Sequence, residues 1–324
     1  MRQIKIIVTG GAGFIGSNLV EELNNRGEDR ILIVDNLKEG IKWKNLIGLK
    51  FLDYINKDEF IERIEKNQFK DVSAIIHLGA CSSTTVKDLN YLWKNNYLYS
   101  QKLAIFSLKN GINFIYASSA ATYGDGSLGF SDDENLLPKL RPLNPYGFFK
   151  HLFDLWLYNN GILNKVVGLK YFNVFGEKEF HKGEMRSVVI KAYEQIKKEG
   201  KVRLFKSYNP KYEDGGQLRD FIYVKDAVDV TLFFLENPDK KGIYNVGTGK
   251  ARSFRDLVRA VFSALNLPPQ IEYIEMPENL RKQYQYFTQA DITKLRKAGY
   301  NKPMWELEEA VKNYVKFLET QDFY

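Results

Sequence analysis

The chain has 324 residues, 44% of them hydrophobic and 27% charged, enough for one large domain, a smaller one and a sizeable core. Its formal charge of +7 attracts anions, yet the lysines are dispersed without a basic tail, which argues against nucleic acid and fits solubility and small phosphorylated ligands equally well. Cys81 is the only cysteine, which excludes an intrachain disulfide, and no apolar run reaches the ~18 residues that span a bilayer, so a cytoplasmic location and no membrane partner are expected.

Ile4–Val8 is a short apolar run that passes straight into glycines, too short for a signal-peptide core. Ile31–Val34, Ala74–Leu78, Phe114–Ala117 and Val166–Tyr171 repeat the pattern. These runs are rich in β-branched and aromatic residues and lack strict alternation, as strands covered on both faces do. Helical patterns fall between them. Phe14, Ile15, Leu19, Val20 and Leu23 mark one stripe, Tyr91–Lys109 a longer one, and Pro145–Asn160 opens with a favoured first-turn proline. Such β-α-β alternation predicts an α/β fold built on a doubly wound parallel sheet.

Asp125–Pro142 reads as a polar loop, broken by Gly126, Gly129, Pro138 and Pro142. Beyond Asn173 the pattern changes. A helix is expected over Ser187–Glu199, a loop over Ser207–Gln217, and a terminal amphipathic helix carrying Leu307, Val311, Tyr314 and Leu318. The expected division is a dinucleotide-binding domain at 1–172 and 217–247, with a smaller α/β substrate-binding lobe at 173–216 and 248–324.

Thr9-Gly10-Gly11-Ala12-Gly13-Phe14-Ile15-Gly16 follows a predicted strand and opens a predicted helix, the context of a Rossmann-type dinucleotide site. Gly10 permits the tight turn, Gly13 lets backbone approach a pyrophosphate, and Gly16 allows close helix–strand packing. The amides of the helix start would then face the phosphates. Asp35 ends the next strand, where an acid binds adenosine ribose hydroxyls and repels a 2′-phosphate. Asn36, Lys38 and Lys42 follow closely, and a lysine there neutralises such a phosphate, so NADP and NAD both stay open on residues alone.

Tyr146 and Lys150 stand four apart at the start of a predicted helix, which stacks them on one face. A cation beside a phenol favours the phenolate and brings proton exchange nearer neutral pH. Phe114–Ser119 looks like a strand ending in hydroxyls, where Ser119 would hydrogen-bond a substrate oxygen while Tyr146 moves its proton. Cys81 has no paired histidine and reads as a small filler. His77 reads as a strand-end hydrogen-bonding residue, and His151 points away from the Tyr146 face. With three histidines and no ligand spacing, no metal site is expected.

The glycine turn, Ser119, the Tyr146/Lys150 pair and Arg219-Asp220-Phe221-Ile222-Tyr223-Val224 together resemble the extended short-chain dehydrogenase/reductase family over nearly the whole chain. The segments Gly79–Thr85, Ala117–Gly124, His181-Lys182-Gly183 and Tyr286–Asp291 are similar to its branch that inverts C6″ of an ADP-heptose for lipopolysaccharide inner-core synthesis. The resemblance implies a transient ketone formed and re-reduced with NADP, or NAD as the alternative, and a homo-oligomer, pentameric in that branch. It implies Tyr146 and Lys182 as the two proton-transfer groups, with Ser119 and Lys150 beside them.

By the same resemblance, Gly10, Gly13, Phe14, Ile15, Gly16, Asp35, Asn36, Lys42, Lys57, Leu78, Gly79, Ala80, Cys81, Ser82, Asn95, Lys150, Val174 and Lys182 would contact the cofactor. Ser119, Asn173, Glu184, Lys191, Leu204, Phe205, Lys206, Ser207, Arg219 and Tyr284 would contact the substrate. Arg219 suits a pyrophosphate, which a guanidinium grips through two bonds. Glu184 and Lys191 depart from the usual serine and histidine, and an acid at 184 is expected to raise the pKa of Lys182. Ala120 and Ala121, which cannot protonate a leaving hydroxyl, argue against a 4,6-dehydratase. A UDP-hexose 4-epimerase and a non-catalytic NAD(P)-sensing module remain as alternatives.

Overall fold

The short apolar runs all become strands in the computed structural model, which describes residues 3–281 and 284–320. The expected domain ends at 1–2 and 321–324 thus lie outside the described residues. β1 (Ile6–Thr9), β2 (Ile31–Asp35), β3 (Asp53–Asn56), β4 (Ala74–His77), β5 (Asn113–Ser119), β6 (Val167–Tyr171) and, later in the chain, β10 (Gly242–Val246) form a seven-stranded sheet. Its order is β10-β6-β5-β4-β1-β2-β3, and every pairing is parallel. The alternation of side chains explains why both faces are covered. Ile6, Val8, Ile31 and Ile33 enter one core, whereas Ile7, Leu32, Val34 and Ile75 enter the other. The chain winds outward from β1 to β3, then crosses to β4 and winds the other way, so a crevice opens beyond the strand ends between β1 and β4.

The remaining strands are β7 (Asn173–Phe175), β8 (Val202–Phe205), β9 (Leu218–Tyr223), β11 (Ala251–Ser253) and β12 (Ile271–Ile274). β9 pairs in parallel with β7 and antiparallel with β11, while β8 and β12 make a separate parallel pair. The terminal helix Leu307–Thr320 packs against the helices Phe254–Ala264 and Val188–Glu199. Leu307, Val311, Tyr314 and Leu318 are all buried there, as their spacing predicts.

Two segments differ from the sequence expectation. Asp125–Pro142 contains a short 3-10 helix, Glu134–Lys139, that includes Pro138. Glu134 holds it in place, accepting from the Ile243 amide (3.1 Å) and pairing with Lys294 (2.7 Å). The expected single helix over Tyr91–Lys109 is instead two α-helical pieces, Leu89–Leu92 and Tyr99–Lys109, joined by a π-helical turn at Trp93–Leu98. Asn95 and Asn96 both turn inward at that widened turn, 8% and 0% exposed. Asn96 accepts from the Cys81 amide (2.8 Å) and donates to the Cys81 carbonyl (2.9 Å), and Asn95 donates to the Tyr91 carbonyl (2.8 Å). Competing side-chain hydrogen bonds of this kind accompany π-bulges, which gather at functional sites.

Candidate active site

A cavity of about 1420 Å³ lies over the C-terminal ends of β1, β2, β4, β5 and β6. Its floor is the glycine turn. Gly10 has φ +72°, and a Cβ on it would lie 2.6 Å from the Gly79 nitrogen; one on Gly16 would lie 2.1 Å from the Gly10 carbonyl oxygen. Only glycine allows β1, the Phe14–Asn25 helix and the Leu78–Ser82 loop to meet this closely. The helix starts at Gly13 with no side-chain cap and no acid in its first turn, which leaves its positive end to an anion. Gly13, Phe14, Ile15, Lys57, Leu78, Gly79, Ala80, Cys81, Ser82 and Asn95 line the same cavity. The residues fit a dinucleotide.

Asp35 closes the next strand with both carboxylate oxygens engaged. One accepts from the Ala12 amide of the glycine turn (2.9 Å), the other from the Asn36 amide (2.6 Å) and from Lys42. Beneath the turn, His77 bridges the hydroxyls of Thr9 (2.6 Å) and Ser100 (2.9 Å). Burial holds its pKa down at about 3, so the ring is neutral and its part is structural.

The helix Pro145–Asn159 carries Tyr146 and Lys150. Asn144 accepts from the Gly147 amide (2.8 Å) and Pro145 takes the first position, fixing where the helix begins and therefore where Tyr146 points. Tyr146, Ser119 and Lys150 all line the cavity. The expectation that Lys150 acidifies the phenol needs correction. Lys150 donates its Nζ to the Ala117 carbonyl at 2.7 Å. Burial raises the Tyr146 pKa, and the group that pulls it back is Ser119, through a hydrogen bond. Lys150 itself is pushed down to about 8 by burial, with Asp154 opposing. Asp154, fully buried, accepts from Tyr116 (2.8 Å), Ser118 (2.7 Å) and Lys170 (2.9 Å), a satisfied network one helical turn behind Lys150. His151 lies off this face, as its position predicts, and does not line the cavity.

Lys182 reaches the cavity from a different element, the short stretch Phe180–Met185. Its Nζ stands 4.8 Å from the Phe14 ring centre and 3.7 Å from the carboxylate of Glu179. Burial lowers its pKa and Glu179 raises it. Glu184, expected to supply that acid, does not: its side chain is 96% exposed and pairs with Lys191 at 3.3 Å. Lys191 lines the cavity and Glu184 does not. Lys206 and Ser207 also fall outside the lining; Lys206 pairs with Glu275 (2.7 Å), and the Ser207 hydroxyl donates to the Asn209 carbonyl (2.8 Å). Asn173, Val174, Leu204, Phe205 and Tyr284 do line it.

Arg219, at 8% exposure, has its guanidinium 5.5 Å from the Phe254 ring centre and 5.4 Å from that of Tyr284. Among the described residues its guanidinium makes one hydrogen bond, to the Leu218 carbonyl (2.8 Å), and pairs with no carboxylate. Burial lowers its pKa. The neighbouring Asp220 is spent elsewhere, accepting from the amides of Thr248 (2.8 Å), Gly249 (2.9 Å) and Ala290 (3.0 Å). A buried guanidinium without an acid is a site for an anionic ligand. Phe254 and Asn96 had no sequence signal of their own, since each acts through a contact far along the chain; Glu179 lies only three residues from Lys182, in an irregular stretch whose side-chain directions the sequence pattern does not give.

Three comparisons bear on this cavity. Residues 6–247 match the NAD dependent epimerase/dehydratase family. The chain is 54% identical over 311 residues to the ADP-L-glycero-D-manno-heptose-6-epimerase of Nitratidesulfovibrio vulgaris strain Hildenborough, covering 96% of each. It is 49% identical to the enzyme of that name from Fusobacterium nucleatum, covering 98% of this chain and 99% of the other. The crystal structure of the Helicobacter pylori enzyme superposes with a TM-score of 0.83 at 29% identity, over 98% of this chain and 97% of that one. Parallel sheet, glycine turn and the Ser119/Tyr146/Lys150 group thus have one explanation: the chain belongs to the NAD-dependent epimerase/dehydratase family.

Proposed function

We propose that the protein is an isomerase that converts ADP-D-glycero-β-D-manno-heptose to ADP-L-glycero-β-D-manno-heptose, for the inner core of lipopolysaccharide. The observation that supports this reading is the convergence on one cavity of two separately mounted titratable side chains, Tyr146 beside Ser119 and Lys182 beside Glu179. Inversion at one carbon needs a proton taken from one epimer and given to the other, and two groups on different elements serve that need. The names of the relatives at 54% and 49% identity support the choice of substrate.

A bound NADP would be held by the glycine turn and Lys150 and would supply the redox chemistry, the reversible oxidation of the C6″ alcohol to a ketone that can be re-reduced on its opposite face. Tyr146 exchanges the hydroxyl proton of one epimer and Lys182 that of the other, while Ser119 holds the sugar oxygen. Lys150 holds the nicotinamide ribose. Arg219 grips the pyrophosphate of ADP-heptose, flanked by Phe254 and Tyr284. NADP is preferred to NAD because Lys42 covers the Asp35 carboxylate that would otherwise repel a 2′-phosphate. The reading divides the chain into a dinucleotide-binding domain, 1–172 and 217–247, and a substrate-binding lobe, 173–216 and 248–324, with Ser119, Tyr146 and Arg219 of the first also reaching the substrate, in a cytoplasmic homo-oligomer, pentameric by family resemblance. Among the described residues no helix is long and apolar enough to cross a membrane.

Proton NMR of the purified protein incubated with ADP-D-glycero-β-D-manno-heptose tests the proposal. Inversion at C6″ is expected, with NADP in the nucleotide released on denaturation and identified by mass spectrometry. Conversion of UDP-glucose to UDP-galactose without change in the heptose would instead favour the 4-epimerase reading.

A further inference from the structure

Glu179 is fully buried, and a buried carboxylate is held there only by its partners. One oxygen accepts from the hydroxyls of Ser187 and of Tyr314, the latter at 3.0 Å. The other accepts from the Ser187 amide at 2.6 Å and faces Lys182 Nζ at 3.7 Å. Three neutral donors from two helices therefore fix the carboxylate, and its uncompensated charge is directed at Lys182. The price is visible in the local design: Ser187, which stands where a helix cap would, gives no side-chain cap to Val188–Glu199 and bonds Glu179 instead.

We propose that Glu179 is a positioning residue that sets both the place and the charge of Lys182. The inference rests on the reading of Lys182 as the second proton-transfer group. The charged and titratable surroundings of Lys182 are few. Glu179 attracts the ammonium, and Lys191, from the Val188–Glu199 helix, repels it. The face of Phe14, from the glycine-turn helix, favours a cation at 4.8 Å. His181, next in the chain, is kept near pKa 4 by burial and adds no charge at neutral pH. Tyr314, from the terminal helix, touches Glu179 and feels Arg186. Burial lowers the Lys182 pKa, and Glu179 opposes this. The same contact links the terminal helix to the site, through Tyr314, Glu179 and Lys182 in turn.

The test uses the full-length protein with its own cofactor and follows epimerisation of the ADP-heptose across pH. Glu179→Gln keeps the shape and one acceptor oxygen but removes the charge and turns the other oxygen into a donor. One limb of the pH–rate profile is expected to move toward acid by about one unit or more, with bound cofactor unchanged. Tyr314→Phe keeps the charge and should leave both limbs in place, whatever it does to stability. Should Glu179→Gln fail to fold, Glu179→Asp retracts the charge by one methylene and is expected to move the same limb in the same direction by less. Unmoved limbs in the folded variant, with Lys182→Met inactive, would overturn the role given to Glu179 alone. Wild-type rates in Lys182→Met would overturn the reading of Lys182 on which it stands.

Discussion

At one end of the cavity Gly10, Asp35 and Leu78 come directly off the ends of β1, β2 and β4, neighbours in a single sheet. At the other end Arg219 leaves β9, in a different sheet, and is flanked by Phe254 from a helix and Tyr284 from a loop beyond it. The first region is positioned by strand register and needs little beyond glycine and one acid. The second is assembled from segments that meet only when the whole lower part of the chain has packed. A fold of this kind keeps its cofactor geometry constant and can change its sugar by altering the second region alone.

The largest expected effect lies at the seam between the two. Tyr146→Phe should reduce turnover by about 10²–10⁴-fold while cofactor stoichiometry is unchanged, measured by NMR rates and released nucleotide. Near wild-type turnover would remove the phenol from the chemistry and break the comparison at its centre. Arg219→Leu is confined to the sugar side and should raise KM for the nucleotide sugar by about 10- to 100-fold, sparing cofactor affinity. A matching loss of cofactor would show that the two regions are not separable. On the cofactor side, the pKa of Lys150 near 8 gives a pH signature. Its ammonium form predominates below that value and is lost as pH rises through it. NADP affinity of the stripped protein, read by fluorescence titration, should therefore fall by about tenfold across that range, and Lys150→Arg, which stays charged, should flatten the curve. Glu184→Ser should change kcat and KM by less than about twofold, because the side chain is in solvent; a large change would extend the sugar region to an outer loop.

The same division governs how much was legible in the sequence. The strands β1, β2, β4, β5 and β6, the doubly wound parallel sheet and the placement of Tyr146, Ser119 and Lys150 on the cavity followed from local pattern, whereas β3, β10 and the strands of the smaller sheets carried no run that the sequence reading picked out. What the pattern could not supply was side-chain direction. Lys150 turns to the Ala117 carbonyl, so the phenol is tuned by Ser119 instead. Glu184 is two residues from Lys182 in sequence yet points to solvent, whereas Glu179, three residues away on the other side, faces it. In a short irregular stretch that includes Gly183 at φ +55°, proximity along the chain says little about proximity in space. Lys206 and Ser207, named by resemblance, do not line the cavity; just past the end of β8 they bond Glu275 and the Asn209 carbonyl instead.

The widened turn at Trp93–Leu98 carries a further consequence for how this helix tolerates change. Removing one residue there would restore an ordinary 3.6-residue winding, and the helix itself would gain by it. Asn96 would then rotate out of reach of Cys81, and the strap that keeps the β4 loop against the glycine turn would come undone. Length, more than composition, is therefore what this stretch must preserve.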